Sequence, residues 1–386
     1  MTDFTNANAL IEGYRRAKKC SGWKESNQKY GLSLLKNICQ LQKELRSGTY
    51  EQGQGSVFQL NEGGHIRMVK ALTVKDMVMQ HALCDKVLIP ALSHHLIHDN
   101  GASLVGKGIS FTRRRFEEHL RWHYRRYGTE GYLLKIDFRK YFDNIWHSKL
   151  TEQMRPYVKA IPFVMDTLKK ILKANEIDIS FTDDPDYINR VFNSLDYQRI
   201  DPAKLTGKRY MAKSMGIGAP TAQISGIFLP TPIDTYCKTV RGVHCYDAYM
   251  DDRIIIHHSK DYLKKLLGEI REIAQKLGIH INDRKTQIVK LSHGFTFLKT
   301  KYILTETGKI ICRIPRDVVT RQRRKMKRLA RFVVDGNMSF SAFQNQYKSW
   351  RGDKNRYHAF ETLRNMDKLY RRLTKWIAKT RPIPLR

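Results

Sequence analysis

Three carboxylates stand where apolar runs of this chain end. Asp137 closes Tyr132-Leu-Leu-Lys-Ile136, and Asp251 and Asp252 lie between Ala248-Tyr249-Met250 and, beyond Arg253, Ile254-Ile255-Ile256. An Asp pair in a turn is ordinary turn chemistry. Two adjacent carboxylates in apolar surroundings are different: they repel one another and stay costly unless cations neutralise them. If the strand ending at Asp137 neighbours the strands around Asp251 and Asp252, three hard oxygen donors face one site. Mg²⁺ is the fitting metal, because it keeps several waters and takes its remaining ligands from substrate phosphates. Two such ions about 3.5–4 Å apart can activate an attacking 3′-hydroxyl and stabilise a departing pyrophosphate.

Positioning these groups requires two β elements side by side. Ala248–Ile256 reads as two short strands around the acidic pair, a hairpin, and Tyr132–Phe138 as a strand bounded by Gly128 and Gly131. Upstream, Gly-rich turn signals precede a strand at His65–Leu72. From Thr73 to His98 the spacing of Met77, Gln80, His81, Cys84, Val87 and Leu88 predicts a helix with one packed face. A second helix starts near Ser110, where Arg113, Arg114 and Arg115 form either a solvated face or a phosphate contact. Residues 146–175 are helical by period and 176–212 are a loop-rich insertion. Gly216, Gly218 and Pro220 mark a tight loop, followed by a helix to about Leu229. Pro230 stops it, and Thr231 caps a second helix with Pro232 and Asp234 in its first turn.

Residues 260–277 form a helix stopped by Gly278, and Ile279–Asn282 and Phe295–Leu304 read as strands. The stretch Arg313–Arg331 holds nine Arg/Lys against one Asp, with Val319, Met326, Leu329 and Val333 on one side, a basic amphipathic helix. Phe340, Phe343, Tyr347 and Trp350 make a second apolar stripe, and Phe360, Leu363, Met366 and Leu373 a third. A small helical bundle follows.

Charge and composition narrow the partners. Among 386 residues, 70 Lys+Arg against 37 Asp+Glu leave +33, a field that suits a polyanion, while 41% hydrophobic residues suffice for a packed core. Cysteines 20, 39, 84, 237, 245 and 312 are scattered without a C-x-x-C pair, and read as reduced and mostly buried. His94-His95 and His257-His258 suggest no third metal ligand. No apolar run nears the roughly 18 residues of a membrane span and no signal peptide opens the chain, so a cytoplasmic protein is expected.

With these residues in view, the chain closely resembles the reverse transcriptases of bacteria. The resemblance rests on the Tyr249-Met250-Asp251-Asp252 box, on Asp137-Phe138-Arg139-Lys140-Tyr141-Phe142 upstream, and on Ala71–Cys84, which looks like an early fingers motif. Phe297-Leu298 before Tyr302, and Lys285 within Asn282–Ile288, complete it, over about residues 30–375. It implies an α+β right-hand polymerase: a helical basic N-terminal region (1–60), fingers (61–130), a palm with an antiparallel sheet flanked by helices (131–312, insertion 176–212), and a helical thumb with a C-terminal tail (313–386). It implies two Mg²⁺ ions on Asp137, Asp251 and Asp252, and deoxynucleoside triphosphates, an RNA template and a DNA or RNA primer as partners, without a membrane. Arg67, Phe138, Phe142, Ile217, Gly218 and Gln223 would meet the nucleotide, Phe142 as the steric gate against a ribose 2′-hydroxyl. Phe297, Leu298 and Lys299 would form the primer grip, where plain core packing is the alternative. Lys285 is either a proton donor to pyrophosphate or a surface lysine.

Within that family, Ile217-Gly218 and Gln223 match the pattern of diversity-generating retroelements, although Ala222 replaces a serine. An aliphatic residue before the glycine gives up a hydrogen bond to the nucleotide sugar, and looser orientation lowers base discrimination. The likeness therefore implies error-prone copying in a bacterial or phage-encoded system, with a small basic accessory protein. Leu104-Val105 stand where relatives carry Arg-Pro, leaving Lys107 as the substitute, and Arg253 is placed to pair with a phosphate or Asp247. Two further readings stay open: a phage-defence, retron or group II intron-like polymerase, and a non-catalytic, maturase-like RNA-binding protein.

Overall fold

The structure is a computed structural model and describes residues 3–53, 55–62, 65–192 and 196–380. The apolar run around the acidic pair folds back on itself. Strands Tyr246–Tyr249 and Asp252–His257 pair antiparallel, Tyr249 opposite Asp252, leaving Met250 and Asp251 as a two-residue turn. Met250 has φ 53°. Positive φ at the first turn position is the type II′ pattern, which matches strand twist but usually takes glycine. A four-stranded sheet runs in the order Tyr246–Tyr249, Asp252–His257, Tyr132–Asp137, Gln287–Lys290. Leu133 and Leu134 point to opposite faces and are both buried, so this strand reads as a continuous apolar run.

The chain divides into two compact units. The first comprises Met1–Arg115, Leu134–Ile255 and Asp261–Gln287. It holds three N-terminal helices (Ala7–Lys18, Glu25–Leu32, Leu34–Arg46) and the antiparallel pair Ser56–Glu62 and His65–Ala71. The helix Val74–Leu83 is capped by Thr73, whose Oγ1 accepts from the Asp76 N–H at 3.3 Å and donates to Asp76 Oδ2 at 2.6 Å. It runs on through a wide turn, Cys84–Leu88, into Ile89–Leu92. The single packed face expected here is corrected: Val78, Met79, Gln80, Ala82, Leu83, Cys84, Val87 and Leu88 are all buried. The cause is packing on several sides, chiefly by Ala7–Lys18 and Pro220–Phe228.

The 146–175 segment is two helices, His147–Val158 and Val164–Lys173, parted by a turn with Phe163 at φ 64°. The insertion is closed at its base by two short antiparallel strands, Ile177–Asp178 and Tyr210–Met211. The helix from Pro220 ends at Phe228, but Thr231 does not cap the next one. Leu229 still donates to Ser225 and Asp234 to Pro230, so the chain is already coiled when it reaches Thr231, whose buried hydroxyl finds no partner. Ile279–Asn282 is not a strand; it makes one antiparallel bridge, Ile281 to Phe138. The cysteines divide evenly, with Cys84, Cys237 and Cys245 buried, Cys312 intermediate, and Cys20 and Cys39 exposed on N-terminal segments.

The second unit comprises Phe116–Leu133, Ile256–Lys260 and Ile288–Arg386. A three-stranded sheet (Phe295–Phe297, Thr300–Leu304, Ile310–Arg313) precedes three helices, Arg316–Val334, Phe340–Asp353 and Phe360–Thr380. Val319, Met326, Leu329 and Val333 face inward with Phe343, Tyr347, Leu363 and Met366. Phe360 is 76% exposed, because the third stripe begins one turn later, at Leu363.

Candidate active site

Asp137 ends its strand with its carboxylate held from one side. Asn282 Nδ2 donates to Oδ2 at 2.9 Å, and Lys285 Nζ lies 3.4 Å from Oδ1. The Asn282 N–H donates to the Asp137 carbonyl at 2.8 Å, and the Asp137 N–H to Thr286 Oγ1 at 3.4 Å. The segment 282–286 therefore wraps the first carboxylate. Sequence reading singled out Lys285 there but missed Asn282 and Thr286, whose only signal is ordinary turn composition.

Asp252 opens the neighbouring strand. Lys135, two residues before Asp137, stands 3.7 Å from its Oδ1. Burial raises the Asp252 carboxyl to about 6; Lys135 pulls it down, and the charges of Asp251 and Asp137 add to the rise. Asp252 therefore feels both of the other acids. Among the described residues no three His, Cys, Asp or Glu side chains gather closely enough to hold a metal by themselves. A cation here would have to draw ligands from outside the protein, as Mg²⁺ does.

Phe138 is 2% exposed and packs 5.4 Å from the Tyr141 ring rather than facing a ligand. Phe142 is half-buried against Gly226, where a Cβ would fall 2.8 Å from its Cε1, while the Tyr141 hydroxyl donates to the Gly226 carbonyl at 2.8 Å. Only glycine lets the helix Pro220–Phe228 approach this closely. The Met215 N–H donates to the Phe142 carbonyl at 2.9 Å, tying Phe142 to the loop that carries Ile217, half-buried, and Gly218, at φ 99°. Gln223 is exposed on the helix beyond. That helix is anchored by Gln80, whose buried Oε1 accepts from Thr221 Oγ1 at 2.8 Å. Arg67 lies on the strand His65–Ala71, opposite Leu60, and its side chain is outside the described residues.

A cavity of about 550 Å³ borders the acidic hairpin, lined by Lys107, Ile109, Phe111, Arg114 and Tyr249 among others. Lys107 is turned into its own loop: its Nζ donates to the His98 carbonyl and sits 4.1 Å from the Phe111 ring centre. Of the arginine run, Arg113 is buried, Arg114 is exposed and Arg115 pairs with Asp99 at 2.7 Å. Arg253, expected at a phosphate or Asp247, is instead buried on Asp234 (Nε to Oδ1, 3.1 Å). In the second unit Phe297 is fully buried, 5.2 Å from the Phe116 ring, and Leu298 and Lys299 form a turn with φ 45° and 59°.

No curated protein matches the chain. Among solved structures it is similar to a telomerase from Candida albicans in complex with a fragment of telomeric RNA (10% identity, 86% of this chain and 56% of that one, TM-score 0.47). It is also similar to an apo telomerase from Candida tropicalis truncated from its C-terminal domain (13% identity, 67% and 55%, TM-score 0.43). The chain spans a little over half the length of those solved chains. A family profile matches residues 60–302, more than half of the chain and all of the acidic sites described, so this chain belongs to the reverse transcriptase (RNA-dependent DNA polymerase) family.

Proposed function

We infer that the protein is an RNA-directed DNA polymerase that extends a DNA or RNA primer with deoxynucleotides on an RNA template, using Asp137, Asp251 and Asp252 as its catalytic carboxylates. The observation that carries this reading is geometric: Asp137 and Asp252 lie on neighbouring strands of one sheet, with Asp251 in the turn beside Asp252, in a chain of the reverse transcriptase family. Such a cluster is unfavourable without cations. The hard oxygen donors of Asp137, Asp251 and Asp252 fit Mg²⁺; Asp137 and Asp251 would hold both ions and Asp252 would complete the site. When bound, two ions would supply an activated 3′-hydroxyl and neutralise charge on the leaving pyrophosphate. Lys285, beside Asp137, would be the proton donor to that pyrophosphate. Phe142, backed by Gly226, limits room at the sugar.

In this reading residues 61–130 are the fingers, 131–312 the palm and 313–386 the thumb. The subtype we favour is that of diversity-generating retroelements, supported by Ile217 before Gly218 and by Gln223. Error-prone copying and a basic accessory protein belong to it. One observation favours the non-catalytic alternative: Lys107, the substitute for the missing fingers arginine, is occupied by its own loop. The deciding experiment is primer extension with Asp251→Asn. The variant should lose cDNA synthesis by at least about a thousandfold while binding RNA with near wild-type affinity, as expected of a group that acts in the transition state. Synthesis by the variant at the wild-type rate refutes the assignment.

A further inference from the structure

The residue after the acidic pair is an arginine that never reaches solvent. Arg253 is 1% exposed and Asp234, on the helix Thr231–Thr235, is 2% exposed. Two guanidinium nitrogens grip the carboxylate, Nε to Oδ1 at 3.1 Å and Nη2 to Oδ2 at 3.3 Å. The Tyr246 hydroxyl donates to the same Oδ1 at 2.6 Å, so Asp234 is held by three donors from the two hairpin strands. The remaining nitrogen, Nη1, donates to the carbonyl of Met250. Met250 is the positive-φ residue of the turn, a conformation that costs a bulky side chain free energy unless its surroundings enforce it. The same guanidinium lies 4.8 Å from the ring of Phe138, the residue that follows Asp137. One side chain therefore touches the backbone just before Asp251 and the side chain just after Asp137. Only a planar fork can clamp a carboxylate on one edge and a carbonyl from the third nitrogen; a lysine ammonium cannot do both.

The geometry points to Arg253, with Asp234 as its anchor, as a positioning residue that holds the strained acidic turn in register with the strand of Asp137. It touches no substrate and acts through the placement of Asp251 and Asp252. This inference rests on the polymerase reading.

A double-mutant cycle tests it: Asp234→Asn, Arg253→Gln and the pair together, with Arg253→Lys as the conservative variant. Each single change strands a buried charge and lowers the melting temperature; removing both charges restores much of it. Turnover should not follow. The expectation is a kcat in primer extension at least about tenfold below wild type in Arg253→Gln, Arg253→Lys and the double variant alike, with KM for the deoxynucleotide within about twofold, since residues acting as one unit are non-additive. Hydrogen exchange in the peptide 246–257 should be faster in the double variant than in wild type, a readout independent of activity. Recovery of kcat along with the melting temperature in the double variant, or wild-type kcat in Arg253→Lys, would show a purely structural ion pair and overturn the proposal. Absence of extension by the wild-type protein, with Mg²⁺, primer and RNA template present, would instead reject the polymerase reading, and the positioning role with it.

Discussion

At the scale of single residues, the sequence pattern behind the proposed acidic site is local. Asp137, Asp251 and Asp252 stand out against apolar neighbours within a few positions, and no distant partner is needed to see it. The Arg253–Asp234 pair was not readable, because its members lie 19 residues apart and neither position shows that both are buried. Two consequences are measurable. The Asp252 carboxyl sits near 6 in the folded protein against 3.8 in an exposed chain, so the folded state holds the extra proton between those values. Stability from this group falls as pH rises through about 4 to 6 and stays low above it. Asp252→Asn should therefore stabilise the metal-free protein by about 1–3 kcal/mol at pH 8, a gain that fades below pH 4 in urea denaturation. Gly226→Ala is the second. Its Cβ would crowd the Phe142 ring at 2.8 and 3.1 Å while alanine favours the helix itself. The ring must shift, and the ratio of ribonucleotide to deoxynucleotide incorporation should rise by about tenfold, a change near 1.4 kcal/mol.

At the scale of elements, periodicity located the helices well where one face is buried, as in Arg316–Val334 with Val319, Met326, Leu329 and Val333 inward. It located them poorly where neighbours cover several sides, as in Val74–Leu83, or where one coil runs into the next, as at Thr231. Phe295–Leu304, read as strand, is broken by the Leu298-Lys299 turn into Phe295–Phe297 and Thr300–Leu304, and Ile279–Asn282 makes a single bridge because Asn282 turns back onto Asp137 instead of extending a ladder. In the helical bundle, Phe343 is fully buried and stacks 5.7 Å from Tyr370. Phe343→Ala should cost about 3–5 kcal/mol of unfolding free energy, through lost burial and the cavity left behind, measured by chemical denaturation. A loss under about 1 kcal/mol would mean that the three helices do not share this core.

For the whole molecule, charge is the governing quantity. With a net +33, RNA binding should be strongly salt-dependent: if 6–10 phosphates are neutralised, affinity falls roughly a thousandfold or more between about 50 and 200 mM salt. Arg324, Lys327, Arg328 and Arg331 are exposed on one basic helix, so replacing all four with alanine should flatten the log–log salt slope by about one unit for each phosphate left without a cation. An unchanged slope would place the polyanion elsewhere. Among the described residues no helix is long and apolar enough to cross a membrane. The excursion between Asp178 and Tyr210 leaves and re-enters through one doorway, since its two ends are hydrogen-bonded to each other. Inside it Ile188, Val191 and Phe192 are buried, the Phe192 ring 4.7 Å from Lys213 Nζ and its carbonyl accepting from Lys140 Nζ at 3.0 Å. Substitution is therefore expected to be tolerated at its exposed positions and not at those three, and a fluorophore attached at exposed Lys204 should leave the fold undisturbed.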